Sequence, residues 1–172
     1  MSLFELYEVI RVRYKGLEKI TEVYMDVQLI TLSGVELNIA LNIPYVSDEE
    51  ENLFVIGAVD SFKEFSNYIH WIQCKETSGI WVDCGMISYG VEEGEFPGFW
   101  IQRLMIHPDF RKKKIATQAL KLALKEAPPN IPIYVSTIIT NIKMRSLLEK
   151  LGFIDIQAKD WGEEVVYKLE RK

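Results

Sequence analysis

Cysteine and histidine are scarce in this sequence, which has two of each among its 172 residues. Cys74 and Cys84 are too few for a disulfide framework or a cysteine-based zinc cluster, so both are expected to be free thiols. The two histidines, His70 and His107, do not complete a metal-ligand set with them, and His107 is expected to shape a turn. The sequence therefore predicts a protein that uses no metal.

Long apolar runs are also missing. No stretch approaches the roughly 20 apolar residues that cross a bilayer. The first residues include Glu5 and Glu8 and lack the basic-then-apolar pattern of a signal peptide. We therefore expect a cytoplasmic protein that does not bind membranes.

A positive charge balance is absent as well, because the formal net charge is -5. This balance disfavours general nucleic-acid binding and mildly favours a cationic substrate. Apolar residues make up 48% of the chain, which is enough for one buried core but leaves little for two. Residues 1–172 are therefore predicted to form a single domain.

The first part of the chain is rich in β-branched and aromatic residues. This composition predicts strands in 3–14 and 22–44, with a hairpin turn at Ser33 and Gly34. An acidic cluster followed by apolar residues at helical spacing predicts one helix over 48–65.

The second part alternates strand and helix patterns. Six strands are predicted, at 68–72, 80–91, 99–106, 131–138, 153–157 and 165–169. A helix over 114–125 joins the third and fourth of these strands, which predicts a parallel β-α-β unit. A second helix is expected to begin at an Asn141 cap and to end at Gly152.

The segment from Arg111 to Thr117 carries the chemistry. It follows a predicted strand and opens a predicted helix, where unpaired backbone N–H groups and the helix dipole form an anion site. The small side chain of Ala116 allows a phosphate to approach. The charges of Arg111 and residues 112–114 add to the positive electrostatic potential at the start of the helix. Taken alone, the basic run is more often a solvated face.

Two motifs in this part resemble those of the GNAT superfamily of N-acetyltransferases. The pyrophosphate motif of that family, Arg or Gln, two residues, Gly, one residue, then Gly or Ala, is matched by residues 111–116. Its second element, an Asn followed by a short helix and Leu-Gly-Phe, is matched by Asn141 and residues 151–153.

The resemblance implies an α/β (α+β) fold: one domain with a mixed central sheet, two splayed parallel strands and flanking helices. Residues 67–170 would form the acetyl-CoA-binding core, and 1–66 would be a divergent, strand-rich part. For this first part we considered roles in oligomerisation, as in a homodimer, or as a substrate lid.

The resemblance also implies which residues bind acetyl-CoA. The pantetheine arm would lie between the splayed strands and the pyrophosphate on the backbone of the loop. Implied cofactor-binding residues are Leu104, Met105, Ile106, Arg111, Lys112, Lys113, Lys114, Ile115, Ala116, Thr117 and Asn141. Lys114 departs from the pattern, because the family prefers glycine there.

Both usual catalytic side chains of such enzymes are absent. The tyrosine that serves as the acid would stand at Leu148, and the glutamate that serves as the base would stand at Gln102. Tyr134 is a candidate proton donor, although a strand tyrosine is more often packed in a core. Glu92 is a candidate for binding or deprotonating the amine, although an acidic residue in a loop is more often only solvated.

The resemblance implies acetyl transfer from acetyl-CoA to a primary amine of a small molecule or a peptide. Residues 101–106, with Arg103 inside the strand, are similar to the same place in small polyamine acetyltransferases. One alternative is a catalytically silent module that binds acetyl-CoA for regulation or as a scaffold. A second is an anion-binding or nucleic-acid-binding domain that uses residues 112–114.

Overall fold

A seven-stranded mixed sheet organises the part of the chain that the computed structural model describes, residues 26–31, 68–158 and 161–170. Across the sheet the strands are β1 (Val27–Thr31), β2 (Tyr68–Lys75), β3 (Trp81–Glu92), β4 (Gly98–Ile106), β5 (Ile133–Ile138), β7 (Glu164–Leu169) and β6 (Ile154–Asp155). Helix α1 (Ile115–Glu126) follows β4, and helix α2 (Ile142–Lys150) follows β5. The expected mixed α/β sheet is confirmed.

The pairing within the sheet is antiparallel except between β4 and β5, which run parallel. Helix α1 makes the crossover between these two strands. The predicted β-α-β unit is therefore confirmed. Because parallel strands end at the same edge of a sheet, the start of α1 and the start of α2 lie at one edge.

Helix α1 covers one face of the sheet with a stripe of buried apolar residues. Its buried positions are Ile115, Ala119, Leu120 and Ala123, which share one side of a helix. They belong to one core cluster with strand residues such as Ile87 of β3. Full burial of each large aliphatic side chain stabilises the fold by about 1.5 to 3 kcal/mol.

Helix α2 begins and ends where the sequence predicts. Its cap is Asn141, whose Oδ1 accepts a hydrogen bond of 3.2 Å from the backbone N–H of Met144. At the other end Gly152 has a φ of 91°, and the Phe153 N–H donates to the Leu148 carbonyl at 3.0 Å. Such a left-handed stop favours glycine.

Two strands, β2 and β6, differ most in length from the sequence prediction. β2 extends to Lys75 instead of ending at residue 72, because it pairs with both β1 and β3 along that length. β6 has only two residues instead of the expected five. The chain turns away after it, since Gln157 has a φ of 52° and its N–H bonds to the Asp155 carboxylate at 2.7 Å.

β1 confirms a strand inside the predicted range 22–44. The strand predicted over 3–14, the hairpin at 33–34 and the helix predicted over 48–65 lie outside the described residues. Among the residues that are described, neither helix is long and apolar enough to cross a membrane.

Candidate cofactor and active site

The parallel strands β4 and β5 separate after a short paired stretch. They pair at three positions, Phe99 with Ile133, Trp100 with Tyr134 and Ile101 with Val135. Beyond these positions, β4 is paired within the described sheet only with β3, and β5 only with β7. The facing edges of 102–106 and 136–138 therefore leave backbone groups available to a bound molecule, and the expected splay is confirmed.

The paired end of the two strands is held tightly together. A Cβ atom at Gly98 would lie 2.7 Å from the Pro132 carbonyl oxygen and 2.9 Å from the Tyr134 ring, so only glycine fits there. The Trp100 and Tyr134 rings stack at 5.2 Å between centroids on the face opposite α1. The gap consequently opens at the other end, toward the start of α1.

A short turn at Pro108–Phe110 connects β4 to the loop before α1. The His107 N–H donates to the Cys84 carbonyl at 2.9 Å, and His107 Nδ1 accepts from the Asp109 N–H at 3.3 Å. Phe110 is buried in the core below the turn. These contacts fix where the loop starts, and the expected role of His107 in shaping the turn is confirmed.

The loop itself adopts a backbone that most residues avoid. Lys112 and Lys114 have φ values of 63° and 62°, in the left-handed region that favours glycine. Lys114 is the cap of α1, and its carbonyl accepts the first helical hydrogen bond, from Gln118 N–H at 3.1 Å. The N–H groups of the first turn of α1 thus have no carbonyl partner in the helix, which is the geometry of an anion site.

Charged side chains surround this backbone site. Arg111 and residues 112–114 are all exposed. Arg111 Nε donates to the Ile106 carbonyl at 2.9 Å, at the open end of β4, and Lys113 Nζ lies 5.2 Å from the centre of the Phe110 ring. The positive charges therefore stand at the mouth of the gap, where they would attract phosphate groups.

The other residues implied in cofactor binding lie at the same edge. Leu104, Met105 and Ile106 are in the part of β4 that has separated from β5. Asn141 follows the turn at the end of β5, and its N–H donates to the Ile138 carbonyl at 2.9 Å. Backbone donors, a positive loop and a gap between strands fit an elongated, anionic molecule such as acetyl-CoA.

Glu92, the candidate for deprotonating the amine, contacts Gln102, which stands at the usual position of the base. Gln102 Nε2 donates to the Glu92 Oε1 across from the end of β3. Gln102 stands at the first position of β4 beyond the pairing with β5. The sequence identified each residue separately, and the structure shows that they form one polar group beside the gap.

Tyr134 and Leu148, the two residues linked with the acid role, have different surroundings. Tyr134 is 6% exposed and packs against Trp100 and Phe96, while its role as proton donor stays a prediction. Leu148 is fully buried in the core cluster. The position where a tyrosine acid is usual is therefore apolar and packed here.

Sequence reasoning did not identify the hydrogen bonds that hold α2 on the sheet. The buried Tyr167 hydroxyl of β7 accepts from Arg145 Nε at 3.1 Å and donates to Glu149 Oε1 at 3.2 Å. No motif signals this network, because Arg145 and Glu149 are i and i+4 on a helix and meet Tyr167 only in three dimensions. It fixes the helix whose first residues border the gap.

Two buried pairs have shifted pKa values. Burial raises the pKa of Tyr89 to about 12; its hydroxyl and His70 Nε2 lie 3.1 Å apart. Both cysteines are free, as expected, and both are buried. A hydrogen bond between them lowers the pKa of Cys74 and raises that of Cys84.

Comparison with known proteins gives a family match. The model of the acetyltransferase (GNAT) family matches residues 43–153, which is more than half of the chain. No curated protein matches the sequence.

Solved structures share the fold at low identity. An acetyltransferase from Thermus thermophilus is 12% identical with a TM-score of 0.61, over 85% of this chain and 97% of the other. A GNAT family acetyltransferase from Bacillus cereus is 18% identical with a TM-score of 0.55, over 86% and 99%. AtaTR bound with AcCoA is 14% identical with a TM-score of 0.60, over 83% and 93%.

Proposed function

The chain belongs to the acetyltransferase (GNAT) family, and we propose that it transfers the acetyl group of acetyl-CoA to a primary amine of a small molecule or a peptide. Acetyltransferases of this family are acyltransferases, which fixes the class of the enzyme. The observation that carries the proposal is the separation of β4 from β5 next to the loop in which Lys112 and Lys114 have a left-handed backbone.

Each part of the site would bind one part of acetyl-CoA. The N–H groups of the first turn of α1 and of its preceding loop would hold the pyrophosphate, with Arg111 and residues 112–114 adding charge. The gap would hold the pantetheine arm on the backbone of Leu104, Met105 and Ile106. Asn141 would border this arm from the start of α2. A structure of AtaTR, which has the same fold, contains AcCoA.

Acetyl transfer requires three actions from the protein. A backbone N–H of the separated part of β4 would polarise the thioester carbonyl. Glu92 would take the proton of the attacking amine, and Tyr134 would supply the proton for the departing thiolate. Glu92 is favoured for its role by its contact with Gln102, which stands at the usual position of the base.

A module that binds acetyl-CoA without turning it over is the second candidate. It is favoured by Leu148, whose apolar and fully buried side chain cannot transfer a proton. A polyamine is the leading acceptor class for the active enzyme, supported by the match at residues 101–106 and the net charge of -5.

The test is the release of CoA thiol from acetyl-CoA in the presence of polyamines, amino acids, peptides and aminoglycosides. We expect release that depends on a primary amine, with the acetylated amine recovered by mass spectrometry. Acetyl-CoA binding without release for any acceptor would favour the silent module. Absence of acetyl-CoA binding would contradict both.

A further inference from the structure

The β3–β4 pair carries an irregularity beside the gap. Ser88 pairs with Arg103, while the next residue of β3, Tyr89, pairs with Ile101. Gln102 is therefore an extra residue in β4, a β-bulge. Bulges re-aim side chains and are frequent next to active sites. The bulge stands where β4 leaves β5.

The Gln102 side chain lies on the face opposite α1, because it follows Ile101, whose side chain is in the core under α1. Ile87 and Tyr89 of β3 lie in the core under α1, so by alternation Ser88 and Glu92 lie on the other face. Gly90 stands between them on that face and has no side chain. Ser88, Glu92 and Gln102 can thus share one polar site.

The orientation of the Gln102 amide follows from its contact. A carboxylate only accepts hydrogen bonds, so the amide nitrogen must face Glu92, and the oxygen Oε1 then faces away. This oxygen is buried and has no hydrogen-bond partner within the described structure.

The Ser88 hydroxyl oxygen, on the same face, is a second buried acceptor without a partner in the described residues. Ser88 is 1% exposed. Buried polar groups of this kind cost about 1 to 3 kcal/mol each, so two of them on one face of the sheet, at a single bulge, call for an explanation. A ligand with several N–H donors would satisfy both.

We propose that Ser88 Oγ, Gln102 Oε1 and the Glu92 carboxylate together bind the ammonium group of a cationic primary amine. An alkylammonium has three N–H donors, no acceptor and one positive charge, which matches two neutral oxygens and one carboxylate. The inference rests on the proposed function, because it assigns the acceptor class of the same site and the residues that select it.

The same group accounts for the proton balance of the reaction. One ammonium proton passes to Glu92, and the nitrogen lone pair that remains attacks the thioester carbonyl carbon. The new C–N bond forms as the C–S bond breaks. Tyr134 gives its proton to the thiolate and regains a proton when the nitrogen loses its second one. Glu92 then releases its proton to water, so the reaction yields an amide, a thiol and one proton.

Equilibrium titration separates this inference from acetyl-CoA binding. Butylammonium and tetramethylammonium, which carry the same charge but differ in N–H donors, are titrated into the CoA-saturated protein. The variants are Glu92→Gln, Ser88→Ala and Gln102→Leu. Glu76→Gln, in the turn between β2 and β3, is the matched control.

We expect butylammonium to bind and tetramethylammonium to bind at least about tenfold more weakly. Glu92→Gln and Gln102→Leu should each weaken butylammonium binding by about 10- to 100-fold, and Ser88→Ala by about tenfold, with the Kd for acetyl-CoA unchanged. Ser88→Ala should leave the urea midpoint equal or higher, because it removes a buried hydroxyl without a partner in the described structure.

Equal binding of the two ammonium ions, or wild-type binding by all three variants, would overturn the inference. So would the absence of butylammonium binding in a protein that binds acetyl-CoA. Failure to bind acetyl-CoA with butylammonium binding intact would instead remove the proposed function.

Discussion

Lys112 and Lys114, two residues apart in the loop before α1, both hold a left-handed backbone, with φ values of 63° and 62°. Lys113 between them does not have a positive φ. In this conformation the Cβ atom of a lysine crowds the following carbonyl, at a cost of about 1 to 2 kcal/mol per residue. The loop that would hold the pyrophosphate is therefore strained at two positions.

Replacing Lys112 or Lys114 by glycine should therefore stabilise the protein. Relief of the backbone strain exceeds the extra chain entropy of glycine, for a net gain of about 0.5 to 1 kcal/mol each. Lys113→Gly is the matched control and should lose about 0.5 to 1 kcal/mol. Urea unfolding gives the three values, and a similar loss in all three variants would show that strain is not what distinguishes these positions.

Asn141→Ala should have two effects. Loss of the hydrogen bond to the Met144 N–H should lower the free energy of unfolding by about 1 kcal/mol. The Kd for acetyl-CoA should also rise, because the residue borders the gap. Thr140→Ala, at the exposed neighbouring position, is the control for both measurements. A loss of stability with an unchanged Kd would restrict Asn141 to its capping role.

Tyr134→Phe tests the proposed proton donor. The ring would keep its packing against Trp100, so stability and the Kd for acetyl-CoA should stay close to those of the wild type. The rate of thiol release should fall by about 10²- to 10⁴-fold, the usual contribution of an acid catalyst. A variant with the wild-type rate would eliminate Tyr134 as the acid.

Tyr89 should make the protein sensitive to alkaline pH. Its pKa is raised by burial to about 12 from an ordinary value of 10.0, so the neutral form is favoured in the folded state. The neutral Tyr89 hydroxyl therefore contributes roughly 2 to 3 kcal/mol to the free energy of unfolding. This contribution is fully present below about pH 10 and is lost as the pH rises to about 12.

Tyr89→Phe should remove that pH dependence. At pH 8 the variant should be about 1 kcal/mol less stable, through loss of the contact with His70. Between pH 8 and about pH 11.5 it should lose less stability than the wild type in urea unfolding. Parallel curves for the two proteins would mean that Tyr89 does not titrate in this range.

Local patterns in the sequence predicted the elements that border the site. The apolar stripe of α1, the Asn141 cap and the Gly152 stop each depend on residues close in sequence, and the structure agrees with all three. The splay of β4 and β5 was expected from the family resemblance, because no local pattern shows where two strands stop pairing.

Contacts between distant residues could not be predicted in the same way. The hydrogen bond between Glu92 and Gln102 depends on the register of β3 against β4, which includes a one-residue bulge and has no sequence signal. Ser88 could not be identified from the sequence. A serine in an apolar strand does not show that its hydroxyl is buried or that it lacks a partner among the described residues. These residues are where the acceptor is expected to bind.

The most direct test of the central claim is calorimetric titration of the protein with acetyl-CoA, using the wild type, Ala116→Leu and Lys121→Leu. Ala116 lies in the first turn of α1 beside the proposed phosphate site, whereas Lys121 is exposed further along the same helix. We expect one saturable site in the wild type and in Lys121→Leu, and no binding in Ala116→Leu, because a large side chain would occupy the space of the phosphates. Equal affinity in Ala116→Leu, or no binding by the wild type, would contradict acetyl-CoA binding at this loop.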